Sequence, residues 1–70
     1  MERIAVDSND LAIVGYDKAS RTLEIAFRSG GVYRYSPVPE ETYLKLMKAS
    51  SHGLYFNQFI KNKYPSERIS

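Results

Sequence analysis

The 70-residue sequence contains no cysteine, which excludes disulfides and thiolate metal sites and fits a reducing compartment. His52 is its one histidine, so no histidine cluster can hold a metal and no two imidazoles can share acid–base work. No apolar run approaches the ~20 residues that span a bilayer, and Met1-Glu2-Arg3-Ile4 begins no signal peptide. Asp7, Asp10 and Asp17 do not reproduce calcium-loop spacing, and the glycines do not reproduce phosphate-loop spacing. There are no repeats and no low-complexity stretch. The expectation is a single cytoplasmic domain with no membrane, metal or cofactor partner.

What is present reads as globular: 43% of residues are hydrophobic and 26% charged, too apolar for a disordered chain. The net charge is only +2, but it is unevenly placed. Residues 1–44 carry five basic and seven acidic side chains, whereas residues 45–70 carry Lys45, Lys48, Lys61, Lys63 and Arg68 against Glu67 alone. Such asymmetry points to a polyanion or an acidic surface; the alternative is the solvated face of short helices.

In Thr22-Leu23-Glu24-Ile25-Ala26-Phe27-Arg28 the residues Leu23, Ile25 and Phe27 point one way and Glu24, Ala26 and Arg28 the other, the period of a half-buried strand. Leu11–Tyr16 reads as the strand before it, and Arg3–Val6 as a short edge strand beyond that. Ser29-Gly30-Gly31 supplies the positive-φ residues of a tight hairpin into Val32-Tyr33-Arg34-Tyr35-Ser36. Pro37 and Pro39 end the sheet. Pro39 suits a first helical position, and Glu40 and Glu41 complement the helix start. Tyr43, Leu46, Met47 and Ser50 form a stripe along that helix. Ser50 or Ser51 caps a second helix with Phe56, Phe59 and Ile60 inward, stopped at Tyr64-Pro65.

The predicted fold is therefore α+β: a meander of three antiparallel strands (about 11–16, 22–28 and 32–36), or four with the edge strand. Two C-terminal helices (about 39–49 and 52–63) pack on one face. The predicted core is Ile13, Leu23, Ile25, Phe27, Tyr33, Tyr35, Leu46, Met47, Phe56, Phe59 and Ile60.

Catalysis is not expected. Ser50-Ser51-His52 places hydroxyls beside an imidazole, but neighbours at a helix start rarely face each other and capping accounts for the serines. Nucleic acid is the sharper expectation. Six tyrosines and three phenylalanines interleave with ten basic residues, and single-stranded RNA is held by stacking on rings and by cations along its backbone. Parity across the glycine hairpin turns Tyr33 and Tyr35 inward with Phe27 and leaves Arg34 out. With Ile13 inward, Tyr16 falls on the outer face with Val14, Arg28, Val32 and Arg34. That face reads as a base-stacking platform of Tyr16, Arg28 and Arg34. Through its valines it reads equally as a homodimer or protein-partner surface. Lys45, Lys61 and Lys63 supply phosphate contacts from the helical side.

Val14-Gly15-Tyr16-Asp17, Leu23, Phe27, Gly30, Val32, Tyr33, Tyr35, Val38-Pro39, Tyr43, Leu46, Ala49-Ser50, Gly53, Tyr55-Phe56-Asn57, Ile60 and Tyr64, in that order, resemble the KTSC domain. That domain is named for its place at the C-terminus of some lysyl-tRNA synthetases and also forms small stand-alone bacterial proteins. The resemblance covers nearly the whole chain, and Tyr33-Arg34-Tyr35 matches the family's Tyr-x-Tyr motif. It implies a small accessory module, with weak RNA or tRNA binding inferred from the synthetase attachment. It does not imply aminoacylation. The matched positions Gly15, Tyr33, Tyr35, Pro39, Tyr43, Gly53, Tyr55, Asn57 and Tyr64 coincide mainly with core and turn positions and read as structural.

Overall fold

Strand β3 (Thr22–Phe27) is the organising element of the computed structural model, which describes residues 1–70. Its inward side chains Leu23 and Ile25 are fully buried, and it is flanked by β2 (Leu11–Asp17) and β4 (Val32–Tyr35). The outer strands are β1 (Glu2–Ala5) and β5 (Ser66–Arg68). All four pairings are antiparallel, and spatial order follows chain order, β1-β2-β3-β4-β5. Gly30 (φ 103°) and Gly31 (φ 90°) make the β3–β4 hairpin in the left-handed region that a side chain disfavours. At the β2–β3 hairpin Arg21 takes φ 57°, while Asp17 accepts from the Ala19 amide and the Ser20 hydroxyl.

Helices α1 (Glu40–Lys48) and α2 (His52–Phe59) separate β4 from β5. Pro39 takes the N-cap of α1 rather than its first turn, and Ser51 caps α2 by accepting from the Leu54 amide. Both helices lie on the inner sheet face. The α1 residue Tyr43 stacks flat on Tyr16 (centroids 4.6 Å, planes 8° apart), and α2 Phe56 meets Phe27 and Tyr35 edge to face. Neither helix is long and apolar enough to cross a membrane.

The α+β sheet-and-helix architecture matches the sequence reading, with five strands rather than three or four. The addition is β5. The second helix stops at Phe59 instead of running to 63: Ile60 closes it, Asn62 turns at φ 63°, and the chain returns to pair with β4.

The buried core comprises Val6, Leu11, Val14, Leu23, Ile25, Tyr35, Val38, Leu46, Phe56 and Ile60, with Phe27, Tyr33, Met47 and Tyr16 packed against it. Two expected core residues lie outside it. Ile13 is 39% exposed on the outer face. Leu11 pairs with Phe27 but Ile13 pairs with Ala26, so β2 holds a bulge that reverses its parity. Leu11, Val14 and Tyr16 thereby turn inward in place of Ile13. Phe59 is 51% exposed and rests on Tyr55 at a centroid distance of 4.7 Å.

Candidate functional site

The same parity shift dismantles the expected outer-face platform. Tyr16 lies on the inner face, where its ring stacks on Tyr43 and its hydroxyl donates to the Val38 carbonyl. Burial, with Glu40 nearby, pushes this phenol above its ordinary range. Arg28 is occupied as a tether, donating from Nε to the Ser8 carbonyl and from Nη2 to the Val6 carbonyl. Arg34 remains on the outer face, beside Glu24 at 3.3 Å. Glu24 also holds Arg3 at 2.8 Å and is only 5% exposed. The hydrogen bond from Arg3 keeps its carboxyl below the usual range despite burial, and Arg34 adds to this. The outer face thus carries a cross-strand row of Arg3, Gly15, Glu24, Arg34 and Glu67, one residue from each strand, in which Glu24 pairs with both Arg3 and Arg34.

A different set of residues converges on the inner side. Between α2 and the sheet lies a pocket of about 540 Å³, within the ~300–1,000 Å³ typical of ligand sites. Phe27, Tyr33 and Tyr35 from the sheet and Phe56 from α2 supply its rings. These rings pack edge to face at 5.4–5.7 Å. Asn57 comes from α2, Lys61 and Asn62 from the turn after it, and Ser66 from β5. Asn9 and Asp10 enter from the loop between β1 and β2, and Ser29 from the β3–β4 hairpin. On the neighbouring β5, Arg68 lies opposite Tyr33 and holds its guanidinium 6.0 Å from that ring's centroid.

Four of the six tyrosines that belong to or pack against the core divide into two pairs by what their hydroxyls meet. Tyr16 and Tyr64 spend their hydroxyls inside the protein, on the Val38 carbonyl and on Thr42 at 3.4 Å. Tyr33 and Tyr35 form no such bond and line the pocket, with hydroxyls that reach solvent, since no buried side-chain polar atom is left without a partner. Tyr35 is only 6% exposed, and burial raises its phenol above the ordinary range. It therefore stays protonated and available as a donor.

Of the sequence-derived residues, the structure gathers Tyr33, Tyr35, Asn57 and Lys61 at this pocket. Lys45 is exposed near the end of α1 and Lys63 in the turn after α2. The other motif positions are structural. Gly15 is covered by Arg3, and a Cβ there would meet Arg3 Cγ at 3.1 Å. Gly53 admits Asp10, whose Oδ2 would lie 2.8 Å from an added Cβ. Pro39 caps α1, Tyr43 backs Tyr16, Tyr55 supports Phe59, and Tyr64 meets Thr42. The Ser51–His52 pair is spent on capping as well, since His52 Nδ1 lies 2.8 Å from the Leu46 carbonyl at the end of α1. Sequence reasoning missed Asn9, Asp10, Asn62, Ser66 and Arg68, polar residues that carry no periodic signal.

The KTSC domain family model matches residues 7–64. The chain belongs to the KTSC domain family. An uncharacterized protein of Stutzerimonas stutzeri is 42% identical over 64 residues, covering 91% of this chain and 90% of the relative. A crystal structure of a KTSC domain protein from Yersinia pestis superposes with a TM-score of 0.96 at 39% identity, covering 99% of this chain and 97% of that one. A lysine–tRNA ligase of Nostoc punctiforme is 44% identical over 55 residues, which is 79% of this chain and 10% of the ligase. The matched segment thus corresponds to about a tenth of that enzyme's length.

Proposed function

We propose that this KTSC domain is a non-enzymatic accessory module that binds RNA weakly, with tRNA the first candidate. The observation that carries the reading is the set of unpaired cations around the pocket. Lys61 lines it, Arg68 overhangs Tyr33, and Lys63 follows in the same turn. None of these, nor Lys45 or Lys48, forms an ion pair; the three ion pairs of the chain involve Arg3, Lys18 and Arg34. Unpaired cations beside exposed polar groups and the half-buried rings of Phe27 and Tyr33 suit a phosphate backbone with accessible bases. The occurrence of a similar segment in lysine–tRNA ligases supports tRNA as the partner, and such a role is cytoplasmic.

Titration with bulk tRNA at low and moderate salt tests this. Affinity is expected to fall by about 0.7 log units per log unit of salt for each single-strand phosphate neutralised. No binding at high micromolar protein in low salt removes the reading.

A second reading rests on the outer face, where Ala5, Ile13, Ala26 and Val32 form an apolar row that no helix covers. A homodimer through this row gives a sedimentation mass above 8.0 kDa, lost in Val32→Lys. Monomeric behaviour at high concentration removes it.

A further inference from the structure

The pocket has a composition that bulk charge attraction to RNA does not require. A protein that only tracks phosphates needs cations on a surface; it does not need an aromatic-walled cavity with amides at its rim. Here half-buried Phe27 and Tyr33 offer apolar ring surface backed by Phe56, and Asn57 and Asn62 offer amides that both donate and accept. The Tyr35 hydroxyl opens into the same space without a partner in the protein, although the residue around it is 6% exposed. Since no buried side-chain polar atom of the protein lacks a partner, this hydroxyl reaches solvent at the pocket, where a ligand acceptor would take the place of water.

We infer that this pocket receives one unstacked nucleobase of a single-stranded RNA segment, held by ring contact with Phe27 and Tyr33 and hydrogen-bonded by Tyr35 and Asn57. This rests on the RNA reading above and goes further by naming the recognised group. Planar heteroaromatic rings edged with donors and acceptors match such a lining, and Lys61 and Arg68 stand close enough to accompany the attached phosphate. A base that is paired and stacked in a duplex cannot enter a cavity between a helix and a sheet. Single strands, loops and ends are therefore preferred over duplex.

The test uses the whole chain, isotope-labelled for amide chemical-shift mapping, with a short mixed-sequence single-stranded RNA and, separately, ribonucleoside monophosphates. Shifts centred on Tyr33, Tyr35, Asn57 and Lys61 are expected. Tyr35→Phe should weaken single-strand binding about five- to tenfold. The unfolding midpoint should not fall, because the hydroxyl it removes bonds nothing in the protein. A purely structural Tyr35 gives no such split between binding and stability. RNA binding with full salt dependence but unaltered by Tyr35→Phe, its shifts confined to Lys45, Lys48 and Lys63, overturns the pocket and leaves the RNA reading standing. Monophosphates that shift the pocket residues while no RNA binds uphold the pocket and overturn the RNA reading. Silence from both probes overturns both.

Discussion

Arg3 on β1 grips Glu24 on β3, two strands away, through a 2.8 Å bond from Nε to Oε1 that passes over Gly15 of the intervening strand. The absence of a side chain at Gly15 opens the path, since an added Cβ would lie 3.0 Å from Met1 Sδ, 3.1 Å from Arg3 Cγ and 3.3 Å from the Glu2 carbonyl. Gly15→Val is expected to displace Arg3 and destabilise the fold by about 1–3 kcal/mol. Thermal unfolding of this variant measures the loss; an unchanged midpoint would show that Arg3 and Met1 move aside freely.

Glu24 also sets an acid limit. Its carboxyl is held below the ordinary glutamate range, chiefly by the hydrogen bond from Arg3. The stabilisation is fully present above the unfolded-state value and is lost as pH falls through the lower folded value. Asp17, lowered by its Ser20 hydrogen bond, acts in the same direction. Unfolding midpoints should be level near neutrality and decline below about pH 4.5. Glu24→Gln should cost about 1–2 kcal/mol at neutral pH and flatten the acid decline. A decline as steep as that of the parent assigns the effect to other carboxylates.

Tyr16 and Tyr35 should respond oppositely to loss of the hydroxyl. Tyr16→Phe leaves the carbonyl of fully buried Val38 without this donor and is expected to cost about 1 kcal/mol of stability with RNA affinity unchanged. Urea unfolding and a tRNA titration on the same variant decide it. Weakened binding at full stability would return Tyr16 to the ligand surface.

Charge removal should be read in the salt slope. Lys61→Ala and Arg68→Ala are each expected to reduce the slope of log affinity against log salt by about 0.7 when the cation neutralises one phosphate. Lys18→Ala, whose ammonium faces Glu40 at 3.7 Å, should leave the slope alone. Equal slopes in all three variants would detach Lys61 and Arg68 from the phosphate path.

The central hairpin was legible because Leu23, Ile25 and Phe27 alternate without interruption and Gly30-Gly31 fixes the register into Tyr33 and Tyr35. Both tyrosines consequently face inward as read from the sequence. Parity failed one strand earlier. The bulge between Leu11 and Ile13 has no glycine or proline to announce it, and a single uncounted residue sends Ile13 outward and Tyr16 inward. Ser66-Glu67-Arg68 offers no apolar alternation; it is a strand because β4 has an open edge beside it. The pocket was half visible for a similar reason. Tyr33, Tyr35 and Asn57 stood out through the family motif and Lys61 through charge, but Asn9, Asp10, Asn62 and Ser66 meet only when the loops, helix and last strand are brought together.

The strand order has a consequence for attachment to larger proteins. β1 and β5 are opposite borders of the sheet, four strand spacings apart, or about 19 Å at ~4.8 Å each. Glu2 shares a rung with Tyr16, Leu23, Tyr35 and Ser66, so the cavity residues Tyr35 and Ser66 lie three and four strands across the sheet from it. A polypeptide joined ahead of β1 therefore enters a sheet's width away from the border where Ser66 meets the cavity.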